Sequence, residues 1–178
     1  MTPTELEAQL RWLHKESYGW ALNCCGREEA DAEDVLQTTY LKVIAGSARF
    51  EGRSAFKTWL FGVIRRTAQE HHRRARSQER RAERFAAEEQ QDVASEHPER
   101  DLLRAEGSRE LLEALELLSD RQREVLHLVF YQDLTIAEAA EVMEVGLGSA
   151  RTHYERGKAR LRGILQERRN RERPAAGR

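Results

Sequence analysis

Apolar residues recur at three- and four-residue spacing along most of this chain, and polar residues fill the positions between them, a helical pattern. Leu6, Leu10, Leu13, Trp20 and Ala21 make a stripe that carries on to Cys24, with Gly26 as its stop. Thr4 with Glu7 has capping-box spacing, and Thr2-Pro3 is the alternative start. Asp31 is placed to cap a second helix, Ala32 to about Ile44, with Leu36, Tyr40, Val43 and Ile44 on its buried edge. After a loop from Gly46 to Arg53, Ser54 is placed to cap a long helix from Ala55 to about Arg84. Its first half is apolar and aromatic (Phe56, Trp59, Leu60, Phe61, Val63, Ile64), and its second half is almost wholly polar.

The stripes then stop. From Phe85 to Gly107 too few apolar residues are available to bury, so this stretch reads as a linker, partly disordered. A helix resumes from about Leu102, with Leu111, Leu112, Leu115 and Leu118 on one edge. Two capping boxes follow, Ser119 with Gln122 and Thr135 with Glu138. Val125, Leu126, Val129 and Phe130 form the buried edge after the first. Ile136, Ala139, Ala140 and Met143 form the one after the second. A short turn from Glu144 to Gly146 leads into a last helix that buries Ala150, Tyr154, Leu161 and Leu165. Helix, tight turn and basic helix make a helix-turn-helix, a motif whose second helix enters a DNA major groove.

Charge sharpens this picture. The formal net charge of −1 hides three blocks. Arg65 to Arg84 holds eight Arg against three Glu, Phe85 to Glu116 three Arg against ten acidic residues, and Arg151 to Arg178 ten basic residues against three Glu. Two basic blocks therefore flank an acidic one, and each basic block suits a polyanion. Scarce Gly and Pro and abundant charge predict an all-α protein of two small helical domains joined by an acidic linker. The expected division is 1–84, linker 85–107, 108–172, and a tail from 173 to 178 that frays. Cys24 and Cys25 are adjacent and lack a CxxC or His-Cys ligand set, so both are expected reduced and packed. No leader is recognised, and the longest apolar run, Trp59 to Ile64, cannot span a bilayer. A cytoplasmic location with no membrane insertion is expected.

Three surfaces carry candidate chemistry. Asp34, Gln37, Thr38 and Leu41 share a mostly polar face of the second helix, which reads as a solvated face or a protein-docking face. Arg66, Gln69, Glu70 and Arg73 share a face of the long helix. Arg can pair with phosphate or guanine, and Gln with adenine. Ser149, Arg151, Thr152, Glu155, Arg156 and Lys158 point outward from the last helix. His71-His72 is not expected to bind metal, because neighbouring helical side chains point about 100° apart and no partner ligands follow. No cofactor and no catalytic residues are expected, since no acidic metal cluster or nucleophile–base pair is evident.

In order and spacing, four segments resemble a bacterial sigma factor of the extracytoplasmic-function (ECF) group, short members of the main sigma family with regions 2 and 4 only. They are Asp31-Ala32-Glu33-Asp34-Val35-Leu36-Gln37 through Tyr40-Leu41-Lys42-Val43, and Phe56-Lys57-Thr58-Trp59-Leu60-Phe61 running into Arg65-Arg66. Then come Leu118-Ser119-Asp120-Arg121-Gln122-Arg123-Glu124-Val125, and Gly148-Ser149-Ala150-Arg151-Thr152 with Arg156 to Leu161. The resemblance implies that Asp31, Glu33, Asp34, Gln37, Thr38 and Leu41 bind core RNA polymerase at the β′ clamp helices. It implies that the Ala48 to Lys57 loop captures a flipped base of the −10 element. With it, Arg53, Lys57, Arg65, Arg66, Gln69, Glu70, Arg73 and Arg74 contact −10 DNA. It implies that Ser149, Arg151, Thr152, Glu155, Arg156, Lys158 and Arg160 contact −35 DNA, that the preceding helices touch the β flap, and that the acidic linker threads the polymerase cleft. An anti-sigma factor is a further implied partner. Glu144 stands where the family usually has Gly, so an αL strain is expected there, and Gly157 stands mid-helix where Ala is common. The competing reading from the residues alone is a stand-alone helix-turn-helix regulator with a sensing or dimerising N-terminal half, which leaves the second basic helix without a purpose.

Overall fold

The computed structural model describes residues 1–86 and 106–172. These residues form eight α-helices and no strand: α1 (Pro3–Trp12), α2 (His14–Cys24), α3 (Glu29–Ile44), α4 (Phe56–Ala86), α5 (Glu106–Glu116), α6 (Asp120–Phe130), α7 (Ile136–Met143) and α8 (Leu147–Glu172). The expected start of a helix near Leu102 and most of the expected linker lie outside the described residues.

Several starts differ from expectation. The first stripe is two helices, parted at Leu13, whose φ of −87° and ψ of 1° leave the α region. The capping box that forms is Thr2 with Glu5: Glu5 Oε2 accepts from the Thr2 amide at 2.7 Å, while Thr2 Oγ1 accepts from the Glu5 amide at 3.2 Å. Pro at the first helical position reinforces that start over Thr4 with Glu7. Helix α3 begins at Glu29, so Asp31 lies in its first turn instead of capping it, where a carboxylate still complements the helix dipole. Ser54 turns its hydroxyl to the Ala55 carbonyl at 3.4 Å, and the first bond of α4 runs from the Trp59 amide to Ala55.

One core cluster takes buried side chains from both halves of the chain. Leu13, Trp20, Val35, Leu60, Phe61 and Ile64 belong to it from one side, and Val125, Leu128, Val142 and Met143 from the other. Trp20 is central. Its indole N–H donates to the Phe61 carbonyl at 3.0 Å, and its ring lies 5.5 Å from that of His127 on α6. Nearby, the Gln132 amide, itself buried, donates to the Glu16 carbonyl at 3.4 Å. This contact links the two halves through Gln132 Nε2, while Gln132 Oε1 is buried without a hydrogen-bond partner.

Two buried-edge assignments shift. Ile44 and Phe130, expected inward, are exposed, while Val35, Thr39 and Leu128 take the inner positions. In α3 the true inner edge is turned by about one residue, which leaves Leu41 and Ile44 both on the outside, 62% and 68% exposed.

Candidate nucleic-acid interfaces

Helix α8 carries the first surface. The Thr135–Glu138 box forms as expected, with the Thr135 amide donating to Glu138 Oε2 at 2.8 Å and the Glu138 amide to Thr135 Oγ1 at 3.2 Å. The Thr135 hydroxyl, which donates to Glu138 Oε2 at 2.7 Å, and then the Thr135 amide hold the Glu138 carboxyl below its usual range. The turn between α7 and α8 hinges on Glu144, at φ 55° and ψ 45°, so the expected left-handed residue is present. Past it, Ala150 is buried against the bundle, and Ser149, Arg151, Thr152, Glu155, Arg156 and Arg160 are exposed together on the outer side. Lys158 is half-buried, its ammonium 4.7 Å from the centre of the Tyr154 ring and 3.7 Å from Glu155. Thr152 donates its hydroxyl to the Gly148 carbonyl at 2.9 Å, which fixes its rotamer.

Gly157 explains how α8 is aimed. A β-carbon there would lie 3.2 Å from both Gln122 Cβ and Leu126 Cδ1, closer than ordinary packing allows. The glycine therefore lets α8 cross α6 closely, and its cost in helix propensity is offset by that contact.

Helix α4 carries the second surface, and its groups are not equivalent. Arg73 and Arg74 are exposed, and Gln69, His72, Arg73, Arg76, Ser77 and Arg80 line one groove along it. Glu70 is engaged by α3: Lys42 donates to it at 2.7 Å and holds its carboxyl below the usual range. Arg65 is buried, with a side chain only 4% exposed, and its Nε donates to Glu124 Oε1 of α6 at 3.0 Å. Gln69, with its amide oxygen turned inward, accepts from the Arg65 guanidinium at 2.9 and 3.0 Å. Arg66 lies 3.4 Å from Glu144, the left-handed turn residue. So two of the arginines singled out from sequence face carboxylates of the other half. Periodicity had no means of finding Glu124 or Glu144, because their partners sit on helices far away in the chain.

The loop before α4 is aromatic at its base. Phe50, Phe56 and Trp59 lie mutually 5.3–5.4 Å apart. Arg53 beside it is exposed and pairs with Glu51 at 2.8 Å, while Lys57 pairs with Glu16 at 3.2 Å. On α3, Glu33, Asp34, Gln37 and Leu41 are exposed, and Asp31 and Thr38 are half-buried. Ile44 extends that face beyond what the sequence pattern assigned to it. Both cysteines are free thiols, as expected, with Cys25 buried.

Residues 9–78 match Sigma-70 region 2, and residues 108–161 match Sigma-70 region 4. The ECF RNA polymerase sigma factor SigX of Bacillus subtilis is 30% identical over 142 residues, covering 79% of this chain and 73% of SigX. The chain belongs to the ECF group of RNA polymerase sigma factors. ECF sigma factor SigC of Mycobacterium tuberculosis is 32% identical over 133 residues, covering 73% of this chain and 68% of SigC. Among solved structures, the fold is similar to sigma factor RpoE from Bartonella quintana, with a TM-score of 0.67 and 23% identity over 91% of this chain and 97% of that one. The function that goes with the family is that of an RNA polymerase sigma factor. Among the described residues no helix is long and apolar enough to cross a membrane.

Proposed function

We propose that this sigma factor divides its work among the three surfaces above, as a cytoplasmic specificity subunit of core RNA polymerase and not as an enzyme. Residues 1–84 act as the region that docks on core polymerase and handles the −10 element. Residues 108–172 read the −35 element, and 85–107 is the tether between them. On α3, Glu33, Asp34, Gln37 and Leu41, flanked by Asp31 and Thr38, meet the β′ clamp helices, and exposed Ile44 adds apolar contact to a polar rim. Ser149, Arg151, Thr152, Glu155, Arg156, Lys158 and Arg160 on α8 enter the −35 major groove, Arg151 toward bases and the other cations toward phosphate. The observation that carries this reading is the shared outward face of α8, held in aim by the left-handed turn at Glu144 and the close crossing at Gly157.

Promoter opening uses binding energy. Unstacking a −10 base costs a few kcal/mol, offset by its capture near the 48–57 loop and the Phe50, Phe56 and Trp59 rings. Arg53, Lys57, Arg66, Gln69, Arg73 and Arg74 supply cationic and amide contacts to the single strand. Arg65 and Glu70 serve there once their carboxylate and lysine partners are released. An anti-sigma factor is proposed as a partner, by analogy with RpoE, crystallised with the anti-sigma factor NepR.

The test separates the surfaces. Arg151→Ala is expected to weaken −35 duplex binding by about 1–3 kcal/mol, roughly five- to 150-fold, with core affinity unchanged. Asp34→Lys is expected to lower core affinity with −35 duplex binding unchanged. Loss of both activities in either variant would contradict the division of roles.

A further inference from the structure

Asp31, His71 and His72 come together where the first turn of α3 meets the middle of α4. One donor atom from each lies within 4.8 Å of the other two, and all three side chains are half-buried. His71 Nε2 is 3.9 Å from Asp31 Oδ1. The two imidazoles stand edge to face with centroids 6.1 Å apart. Successive helical positions diverge, as the sequence pattern implies, but Asp31 arrives from a different helix and faces both.

We propose that these three residues form a binding site for one divalent transition metal of the Zn2+ class, linking α3 to α4. Two imidazoles with one carboxylate are a donor set for Zn2+, Co2+ or Ni2+, whereas Mg2+ and Ca2+ require mostly oxygen. Three protein ligands leave a fourth position to water. A tetrahedral centre with ligands near 2.0 Å needs donors about 3.3 Å apart, so the three must close in by side-chain rotation. Asp31, half-exposed at a helix start, is free to make that movement.

The tautomer of His72 supports the assignment. His72 Nε2 lies 3.1 Å from the Cys24 carbonyl. An imidazole that donates Nε2–H to a carbonyl keeps a lone pair on Nδ1, and this is how metal-binding histidines are usually oriented. His71 Nδ1 is enclosed with no hydrogen-bond partner, while its Nε2 faces Asp31. The neighbouring thiols are not the ligands. Neither Cys24 nor Cys25 places its sulfur in the cluster formed by the three donor atoms. A bound cation would tie the first turn of α3, beside Glu33 and Asp34, to the helix that bears Arg73 and Arg74.

The test uses the full chain without a histidine tag, titrated with Co2+ and followed by visible absorption. The expected result is one Co2+ per chain with the d–d bands of a four-coordinate site, displaced by Zn2+ and unaffected by excess Mg2+. Zn2+ at a hundredfold excess over its Kd is expected to raise Tm by about 5–10 °C. His71→Ala, His72→Ala and Asp31→Asn are each expected to weaken binding at least tenfold, with helicity checked by circular dichroism. Asp31→Asn keeps the comparison open if a histidine variant fails to fold. Absence of the d–d bands in the wild-type chain would overturn the proposal. So would binding that survives all three substitutions, or binding lost in Cys24→Ser or Cys25→Ser while the histidine variants retain it.

Discussion

At the scale of single residues, positions that break the family's habit turn out to have physical tasks. Glu144 takes a left-handed conformation that costs an ordinary L-residue roughly 1–2 kcal/mol. The turn imposes that conformation whichever side chain is present, which is why the strain was legible from sequence. Its neighbour Arg66 was not, because the pair spans two distant helices. Gly157 was legible only as a propensity cost, and the structure supplies its reason in the closeness of α6. Gly157→Ala is therefore expected to destabilise the fold by about 1 kcal/mol, since overpacking against Gln122 and Leu126 outweighs the gain in helix propensity. Urea unfolding measures this, and a stabilised variant would show that the crossing has room to spare.

At the scale of elements, existence was easier to read than orientation. The expected helical stretches are helical where they are described, with the first divided at Leu13, because apolar stripes are local properties, whereas only some of the expected caps formed. Phase was harder. Thr39 is as buried as a valine, so a count of apolar residues turned α3 by about one position and hid Ile44 on the inside. Phe130 was misplaced for the related reason that α6 meets α2 as well as α7 and α8, and its inner face holds His127. That histidine sits between Trp20 and Tyr131, and burial, with Arg27 nearby, pulls it down to about 4. A neutral buried imidazole binds its proton later than the unfolded chain does. Stability linked to it is therefore full above about pH 6.5 and is lost as pH falls toward 4. Between pH 7.5 and pH 5 the wild-type chain is expected to lose about 2 kcal/mol that a His127→Gln variant does not. Chemical unfolding of both at the two pH values measures it. The carboxylates held low here, Glu5, Glu70 and Glu138, change only at lower pH, so they do not obscure the difference. Equal losses in the two proteins would remove His127 as the cause.

At the scale of the molecule, the two basic blocks legible in the sequence do not lie free of each other. The seam between the halves holds the Arg65–Glu124 ion pair, supported by Arg121 on the other carboxylate oxygen at 3.1 Å. Removing one partner of a buried pair costs about 3–5 kcal/mol, because the other is left uncompensated, and here Gln69 still holds Arg65. Glu124→Gln is thus expected to part the halves without melting the helices. Solution scattering would then give a larger radius of gyration at unchanged helical signal, and an unchanged radius would mean the apolar seam around Trp20 suffices alone. The proposed −10 contacts require Arg65 to exchange a carboxylate for nucleic acid, so the seam has to open in the working complex. The most direct test of the whole account is run-off transcription by core RNA polymerase with the purified chain, joined to a footprint on the promoter it selects. The account predicts that the chain confers initiation at defined promoters and protects a −35 and a −10 element together only when core enzyme is present. Binding of a palindrome as a dimer, with no transcription added to core enzyme, would contradict it.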